Sequence, residues 1–411
     1  MAYKGIEYLK TKLTLKKARV KLRYDFYEQK HTAVDFGIFT PEKLKDFHAI
    51  NGWCTKAVDT LADRLCFYKW QQDNFDIEGI FNMNNPDILY DSAMLSALIS
   101  ACSFVVITPS TDDIIPLLQV VDGSRATGII DDATGMLQEG YAELEVDSTG
   151  QVTQYAYFTK EQTVYYSVAG GKETQTYRVI NPAPYPLLVP IIYRPDAKRP
   201  FGHSRISRAC MDAAAGAMRT VKRSEIAGEY YSFPQKYILG LDPEVAIENE
   251  RASASSMLTF TQNEDGGETR VGQFNAASPQ PYYEQLKMMA SLFAAETGLT
   301  LDDLGFVTSN PQSADAIKAS HEALRLTARK AQRTFGRCFL NVGYLAACVR
   351  DKSSYKREAV YDTTATWAPI FEPDASQLGM IGDAVGKINM SIPGYIDEDN
   401  VYQLTGIRKE V

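Results

Sequence analysis

The chain has 411 residues, of which 45% are hydrophobic and 23% are charged. This composition is typical of a globular protein with room for roughly two or three domains, and it excludes a disordered chain. The formal net charge of −8 argues against a protein that clamps nucleic acid through a generally basic surface.

Neither export nor insertion into a membrane is indicated. The six cysteines are scattered without a C-x-x-C pair, as expected of reduced, mostly buried thiols in an intracellular protein. The N-terminus lacks the apolar segment of a signal peptide. The longest apolar run, residues 93–107, is too short to span a bilayer comfortably. We therefore expect no membrane contact.

Residues 1–30 form a basic segment, with nine Lys or Arg and three Asp or Glu. Lysine and arginine alternate there with Leu and Tyr, which predicts a basic, partly amphipathic arm. The alternative is a solvated face of an ordinary helix.

Helical and β patterns succeed one another in the next 170 residues. A capping residue, a proline and apolar residues at three- and four-residue spacing predict a helix over 41–70. A less regular version of that pattern covers 86–103. From about 104 to 195, short β-branched and aromatic runs are separated by turn residues, which predicts antiparallel hairpins. These patterns together predict an α+β fold.

Small side chains mark the helix predicted from Ser204. Residues 213–217 read Ala-Ala-Ala-Gly-Ala, and Ala213, Ala217 and Val221 lie on one narrow stripe. Because small side chains let a neighbouring backbone approach closely, the stripe predicts tight packing against another copy of the chain or against another helix.

A compact β and turn insertion is predicted over 235–278, before a second helix that follows Pro281. The longest predicted helix covers 309–350, and Gly336 and Gly343 inside it predict a bend or a close contact. Its apolar residues alternate in steps of four and three, as in a coiled-coil seam. The seam consists of Leu324, Ala328, Ala331, Phe335, Cys338, Val342 and Leu345. The opposite face carries Lys318, Arg325, Arg329 and Arg333.

The sequence contains no recognisable catalytic motif. Its four histidines lack metal-ligand spacing, and the glycine motifs of nucleotide-binding loops and nucleophile elbows do not occur. Acidic pairs such as Asp302-Asp303 are common in turns and at helix starts. We therefore predict a protein that is not an enzyme and that has no metal and no cofactor.

Several short motifs follow one another in order from about residue 85 onward. They are PIIY at 190–193, FGHSRI at 201–206, FPQKYILG at 233–240, AETGL at 295–299, NPQSADAIKA at 310–319, WAP at 367–369 and AVGK at 384–387. Their order and spacing resemble the portal proteins of tailed bacteriophages. Those proteins form the ring through which DNA enters and leaves the phage head.

The resemblance implies a portal-type α+β subunit with eight regions. They are a basic N-terminal arm at 1–30, an α/β wing at 31–200, a first stem helix at 201–231, a β-rich clip at 232–278, a second stem helix at 279–298, a tunnel loop at 299–313, a long helix that returns to the wing at 314–374, and a short helical crown at 375–411. This crown is shorter than in larger relatives.

The resemblance also implies the partners. About a dozen copies would form a ring at one capsid vertex, and double-stranded DNA would pass through it. The clip would dock the large subunit of the terminase motor and later a head-completion adaptor. A separate hypothesis, based on the charge of the arm, is that residues 4–30 contact acidic surfaces of the major capsid or scaffold proteins. The protein would assemble in the host cytoplasm and remain in the virion.

Four uncharged hydrogen-bonding residues precede the long helix and are the candidates for the positions closest to DNA. They are Thr308, Ser309, Asn310 and Gln312. The alternative is a helix cap with its preceding loop. Ala213, Ala217 and Val221 are the candidates for packing between subunits in the stem.

Two other classes of protein stay open. A minor head or adaptor protein of a phage need not form a closed ring with a channel. A cytosolic enzyme with an unrecognised site would be a monomer or dimer with a deep polar pocket.

Overall fold

The protein is described from a computed structural model, over residues 3–34, 45–110, 114–232, 236–239, 270–273, 278–306 and 314–407. The chain forms two compact units. The larger unit comprises Met1–His31, Gly52–Met211 and Ala294–Val411, and the smaller comprises Thr32–Asn51 and Asp212–Phe293. Helices and antiparallel sheets occur together, which confirms the α+β prediction.

The described strands of the larger unit form three antiparallel sheets. The strands are β1 (Phe67–Gln71), β2 (Cys102–Thr108), β3 (Leu117–Val121), β4 (Ala126–Ile130), β5 (Leu137–Val146), β6 (Val152–Phe158), β7 (Gln162–Ala169), β8 (Lys172–Ile180), β9 (Leu188–Ile192) and β12 (Thr364–Trp367). Strands β10 and β11 belong to the smaller unit and are described below. Strands β4 to β8 form a five-stranded sheet in sequence order. The other sheets have the orders β3-β2-β9 and β1-β12.

The predicted β region over 104–195 is confirmed. Each strand of the five-stranded sheet pairs with the next one along the chain, as in successive hairpins. Gly170 and Gly171 connect β7 to β8 with φ angles of +55° and +76°. A side chain with a Cβ rarely adopts such angles, so glycine permits this two-residue turn.

The larger unit also contains eight described helices. They are α1 (Ile6–Tyr27), α2 (Trp53–Ala62), α3 (Ile77–Asn82), α4 (Pro86–Ser100), α7 (Ala314–Ser320), α8 (Glu322–Arg350), α9 (Ala375–Ser391) and α10 (Glu398–Thr405), with short 3-10 turns at Asp302–Leu304 and Arg357–Val360. Helices α5 (Arg208–Ser232) and α6 (Gln280–Thr297) belong mostly to the smaller unit.

Helix α1 contains most of the segment predicted as a basic arm, and it packs against the five-stranded sheet. Leu9 and Leu13 are buried against tyrosines of β5 and β6. Lys10 and Lys17 form ion pairs with glutamates of β8 and β5, each with an N–O distance of 2.7 Å. Residues 6–27 are therefore integral to the larger unit, because their apolar stripe has a sheet to cover.

The helix predicted over 41–70 is wrong in extent. Helix starts only at Trp53, residues 67–71 form strand β1, and the first four residues of the prediction lie outside the described ranges. Phe47 and Ile50, two of the apolar residues whose spacing predicted that helix, are exposed. Strand β1 pairs with β12, which is almost 300 residues away, and local periodicity carries no information about such a partner.

Helix α8 confirms the predicted seam, because all seven seam residues are buried. The predicted close contacts of its glycines are also present. A Cβ added at Gly336 would lie 2.9 Å from Cβ of Ala365, and one added at Gly343 would collide with Cγ2 of Ile77. The helix is shorter than predicted, because a turn at His321 separates it from α7. Residues 309–313 of the prediction lie outside the described part of the chain.

In the smaller unit, strands β10 (Lys236–Leu239) and β11 (Arg270–Gln273) form an antiparallel pair between α5 and α6. This pair is the described part of the insertion predicted over 235–278. Helix α6 begins at Gln280, next to the predicted start. Lys222 of α5 donates a hydrogen bond to the carbonyl of Lys45, with an N–O distance of 2.9 Å.

Candidate functional site

The four candidates for the DNA-facing loop all lie outside the described residues. They are Thr308, Ser309, Asn310 and Gln312. On the N-terminal side, the described chain ends after the turn at Asp302–Leu304, where the carboxylate of Asp303 accepts hydrogen bonds from the amide and hydroxyl of Thr300 at 2.9 Å. On the C-terminal side, it resumes with α7.

The small-sided stripe of α5 is partly covered by its own chain. Ala213 and Ala217 are buried, and Val221 is half-buried. A Cβ added at Gly216 would lie 2.9 Å from Sδ of Met289 on α6, so small residues permit a close approach of these two helices. Ala213 and Ala217 are therefore buried within one copy, and both alternatives, packing against another helix and packing against another copy, stay predictions for them. Val221 is half-buried, so part of its side chain is free to contact a neighbouring copy.

A cleft of about 1060 Å³ in the larger unit is lined by α1, by the C-terminal end of α4 and by residues 194–208. Its lining contains seven Lys and Arg side chains and two carboxylates, those of Asp196 and Glu296. We refer to it as the cation cleft. Its cations are Lys12, Lys16, Arg19, Arg23, Arg194, Arg199 and Arg208.

Helix α1 aligns four of these cations along one wall. Lys12, Lys16, Arg19 and Arg23 are spaced by four, three and four residues, which places them on one helical face. Lys12 donates a hydrogen bond from Nζ to the carbonyl oxygen of Gly128 at 2.7 Å. The wall is therefore anchored to the five-stranded sheet at its N-terminal end.

Phe201 lies between two of these lysines. Nζ of Lys12 is 4.9 Å from the centroid of its ring, and Nζ of Lys16 is 6.0 Å from it. Lys16 also lies 5.3 Å from the ring centroid of Phe104. These cation–π contacts position the lysines and occupy the aromatic surface of the cleft.

Neighbouring cations in the cleft lower the pKa values of Lys12 and Arg23. Burial, and after it the charge of Lys16, lowers the pKa of Lys12. Burial, and after it the charges of Arg19 and Arg199, lowers the pKa of Arg23. In both cases the next cause after burial is a neighbouring cation, so the cleft has a positive potential that its own carboxylates leave uncancelled.

The two carboxylates of the cleft offer limited compensation. Asp196 is already paired with His203, and it also accepts hydrogen bonds from two backbone amides. Arg23, Arg194 and Arg208 have no side-chain hydrogen bond or ion pair with any described residue. The cleft thus has an excess of cations over carboxylates, which gives it a positive potential that attracts anionic groups.

An acidic cluster lies at the other end of α4. Asp87 and Asp91 are one turn apart near the start of this helix, and Asp63 and Glu372 join them around the exposed thiol of Cys66. Burial, and after it the charges of Asp87 and Asp63, raises the pKa of Asp91. Burial, and after it the charges of Asp91, Asp63 and Glu372, raises the pKa of Cys66. None of these four carboxylates forms an ion pair with a described residue, so the cluster has a negative potential.

A second row of cations lies on α8. Arg325, Arg329, Arg333 and Arg337 follow one another every four residues and line a separate cavity of about 540 Å³. Arg325 donates two hydrogen bonds to Glu322, with N–O distances of 2.7 and 2.6 Å. The last three arginines are exposed, as on an ordinary solvated helix face.

Within the described ranges, no three His, Cys, Asp or Glu side chains are grouped to hold a metal ion. No described helix combines the length and apolar character needed to cross a membrane. All six cysteines are free thiols, and only Cys66 is exposed.

The sequence interpretation missed the cation cleft and the acidic cluster. The basic character of residues 1–30 is visible in the sequence, and so is the density of arginine between 194 and 208. Nothing local indicated that these segments meet, because they are about 180 residues apart and are joined by the packing of α1 on the sheet.

The sequence matches a known family over residues 6–390, described as phage portal protein, SPP1 Gp6-like. Portal proteins of Mycobacterium phages L5 and D29 are each 24% identical to the chain over 335 residues. Each alignment covers 76% of this chain and 67% of the phage protein.

Solved structures of gene transfer agent particles are also similar to the chain. A chain in the native virion is 11% identical, with a TM-score of 0.48. A chain in the neck of the empty particle, computed with C6 symmetry, is 12% identical, with a TM-score of 0.49. Both comparisons cover 88% of this chain and 91% of the other.

Proposed function

Because this chain belongs to the phage portal protein family, we propose that about a dozen copies form a ring-shaped channel at one vertex of a phage capsid. Double-stranded DNA passes through the channel during packaging and again during ejection. The observation that carries this proposal is the family match, which covers residues 6–390 and so includes parts of both units.

The regions of the subunit are assigned as the resemblance implies. The wing is residues 31–200, the stem helices are 201–231 and 279–298, and the clip lies between them at 232–278. Two long helices, α5 and α6, that bracket the β10–β11 pair support the division into stem and clip. The tunnel loop at 299–313 then leads into the long helix, and residues 375–411 form a short crown.

The chain has a structural role in this proposal. The clip docks the terminase large subunit during packaging and a head-completion adaptor afterwards, and the basic segment at 4–30 contacts acidic surfaces of capsid or scaffold proteins. ATP hydrolysis belongs to the terminase, which agrees with the lack of a nucleotide-binding motif in this sequence. The ring forms in the host cytoplasm and stays in the virion.

The net charge of the chain supports a role as a conduit. About a dozen copies, each with a formal charge of −8, carry roughly −100 together. A negative channel wall repels phosphates, so it minimises the electrostatic binding that would stop DNA from sliding. Thr308, Ser309, Asn310 and Gln312 are the proposed positions closest to the DNA, since they offer hydrogen bonds without charge.

Electron microscopy of the negatively stained protein, with native mass spectrometry in parallel, tests the ring. We expect closed rings of about a dozen subunits with a central channel. A monomer or dimer that persists at every salt and protein concentration would contradict the proposed portal function. An open or channel-free assembly would favour a minor head or adaptor protein.

The assignment of the tunnel loop has a separate test. Replacing Asn310 and Gln312 together by alanine should leave the mass of the ring unchanged and alter the rate of DNA packaging into heads. Packaging at the wild-type rate would remove these two residues from the DNA path.

A further inference from the structure

We propose that the cation cleft of one copy binds the acidic cluster of the next copy in the ring. This inference rests on the proposed ring and identifies a surface through which neighbouring subunits recognise each other. Helix α4 connects the two surfaces within each subunit.

The described residues that line the cation cleft include fewer carboxylates than cations. Seven cations face two carboxylates, and one of these, Asp196, is already paired with His203. Arg23 is half-buried without a side-chain partner among the described residues. A partly desolvated charge costs free energy unless it is paired, so a second set of carboxylates stabilises the cleft.

The shape of the cleft favours protein carboxylates over nucleic acid. Binding of single strands relies on aromatic rings on which bases stack, and Lys12 and Lys16 already occupy the ring of Phe201. The convex backbone of a duplex reaches cations at the rim, such as Arg194 and Arg208, more easily than the half-buried Arg23. Carboxylates on short side chains are able to enter the cleft.

The acidic cluster has matching properties. Asp87 and Asp91 are exposed and one helical turn apart, and Ile88 beside them is 72% exposed. On the other side, Leu22 lines the cation cleft and is 39% exposed. The two surfaces thus combine opposite charge with an exposed apolar side chain on each, as interfaces commonly do.

Their placement on α4 suits a ring. The cluster lies in the first turns of this helix, whereas Ser100 and Ala101 at its C-terminal end line the cleft. At 1.5 Å per residue these points are about 20 Å apart on one rigid element. Every contact in the proposed ring is heterologous, so each copy presents its cleft to one neighbour and its acidic cluster to the other, and the two ends of α4 carry the opposite charges that such a contact needs.

Charge reversal tests the inference in the full-length chain. One variant carries Arg194→Glu and Arg208→Glu, and another carries Asp87→Lys and Asp91→Lys. Each places like charges opposite each other, and we expect association of copies to weaken about tenfold or more. A chain with all four substitutions restores opposite charges across the contact and should form rings again. Arg329→Glu with Arg333→Glu, on α8, reverses the same number of arginines and should leave assembly unchanged.

Native mass spectrometry reports the ring population, and circular dichroism reports folding of each variant. Rings from the four-substitution chain, together with loss of rings in each two-substitution variant, would support the proposed contact. Normal rings from the cleft variant, or no rescue in the four-substitution chain, would overturn it. Normal rings combined with weaker binding of an oligonucleotide would overturn it in favour of nucleic acid. Failure of the wild-type chain to form rings would instead contradict the proposed function itself.

Discussion

Helices α8 and α9 are both long, but they are stabilised in different ways. Seventeen of the 29 residues of α8 are buried, whereas none of the 17 residues of α9 is. At the start of α8, the side chain of His321 makes no capping hydrogen bond. At the start of α9, the carboxylate of Asp374 accepts a hydrogen bond from the amide of Gln377 at 2.9 Å. Burial of side chains therefore provides most of the stability of α8. In α9, where no residue is buried, the N-terminal cap provides a larger share of the stability.

The comparison shows what an apolar pattern does and does not predict. Leu378, Ile381, Val385 and Ile388 follow one another in steps of three, four and three residues, as in the seam of α8. In α8 this pattern meets strands and helices of the larger unit, but in α9 it stays partly exposed. Periodicity identifies the face of a helix that is able to pack. It does not identify what covers that face.

The largest expected difference between α8 and α9 is in the free energy of unfolding that is lost when one side chain is truncated. Phe339 of α8 is fully buried, and its ring centroid lies 4.7 Å from that of Tyr90 in an edge-to-face contact. Phe339→Ala should lower the free energy of unfolding of the larger unit by about 3–5 kcal/mol, because it leaves a cavity. Met380→Ala, at a position of α9 that is 64% exposed, should change it by less than about 0.5 kcal/mol. Urea unfolding followed by circular dichroism measures both changes. Equal changes in the free energy of unfolding would contradict the conclusion that packing stabilises α8 more than α9.

Glycine-to-alanine substitutions in the two helices should have effects of opposite sign. At Gly343 of α8 the new methyl group collides with the side chain of Ile77, and overpacking of this kind costs about 1–3 kcal/mol. At Gly382 of α9 nothing lies within 4 Å of the new methyl group, so better helix propensity should stabilise α9 by about 1 kcal/mol. Urea unfolding measures the first effect, and slower hydrogen exchange of α9 amides measures the second. A stabilising Gly343→Ala would mean that α8 is less tightly packed than described.

Removal of the cap should affect α9 and leave α8 unchanged. Asp374→Ala deletes the acceptor for the Gln377 amide, so amides in the first turns of α9 should exchange faster while those of α8 keep their rates. Asp383→Ala is the matched control, since it removes an exposed aspartate from the middle of the same helix. Unchanged exchange in Asp374→Ala would show that α9 is held by contacts along its length instead.

The smallest effect is a dependence on pH. Hydrogen bonds from the Ser376 hydroxyl and the Gln377 amide, with the charge of Lys318, hold the pKa of Asp374 below its ordinary value. The ionised carboxylate therefore stabilises α9 fully above the unfolded-state pKa of about 3.9, and this stabilisation is lost as the pH falls through the lower folded-state value. The difference in α9 exchange between the wild type and Asp374→Ala should shrink toward zero on acidification. A difference that persists in acid would argue against the charged cap.

Much of the fold was predictable from local patterns. The seam of α8 and the hairpins after residue 104 follow from spacing and turn residues, and the order of motifs such as FGHSRI at 201–206 pointed to the portal family that the family match identifies. The prediction over 41–70 was wrong because β1 forms by pairing with β12, far away in the sequence. The predicted roles of Asn310 and its neighbours in the loop stay predictions.

The sequence by itself determined the alternation of helices and strands, the buried face of α8 and the family, because each depends on residues that are near neighbours or on a fixed order of motifs. Only the tertiary structure decided that Arg23 of α1 and Arg208 of α5 line one cleft, and that Asp63 and Glu372 join the aspartates of α4. The physical reason is that charges sum over distances in space. A surface potential is therefore a property of packed elements, and the order of residues along the chain does not reveal it.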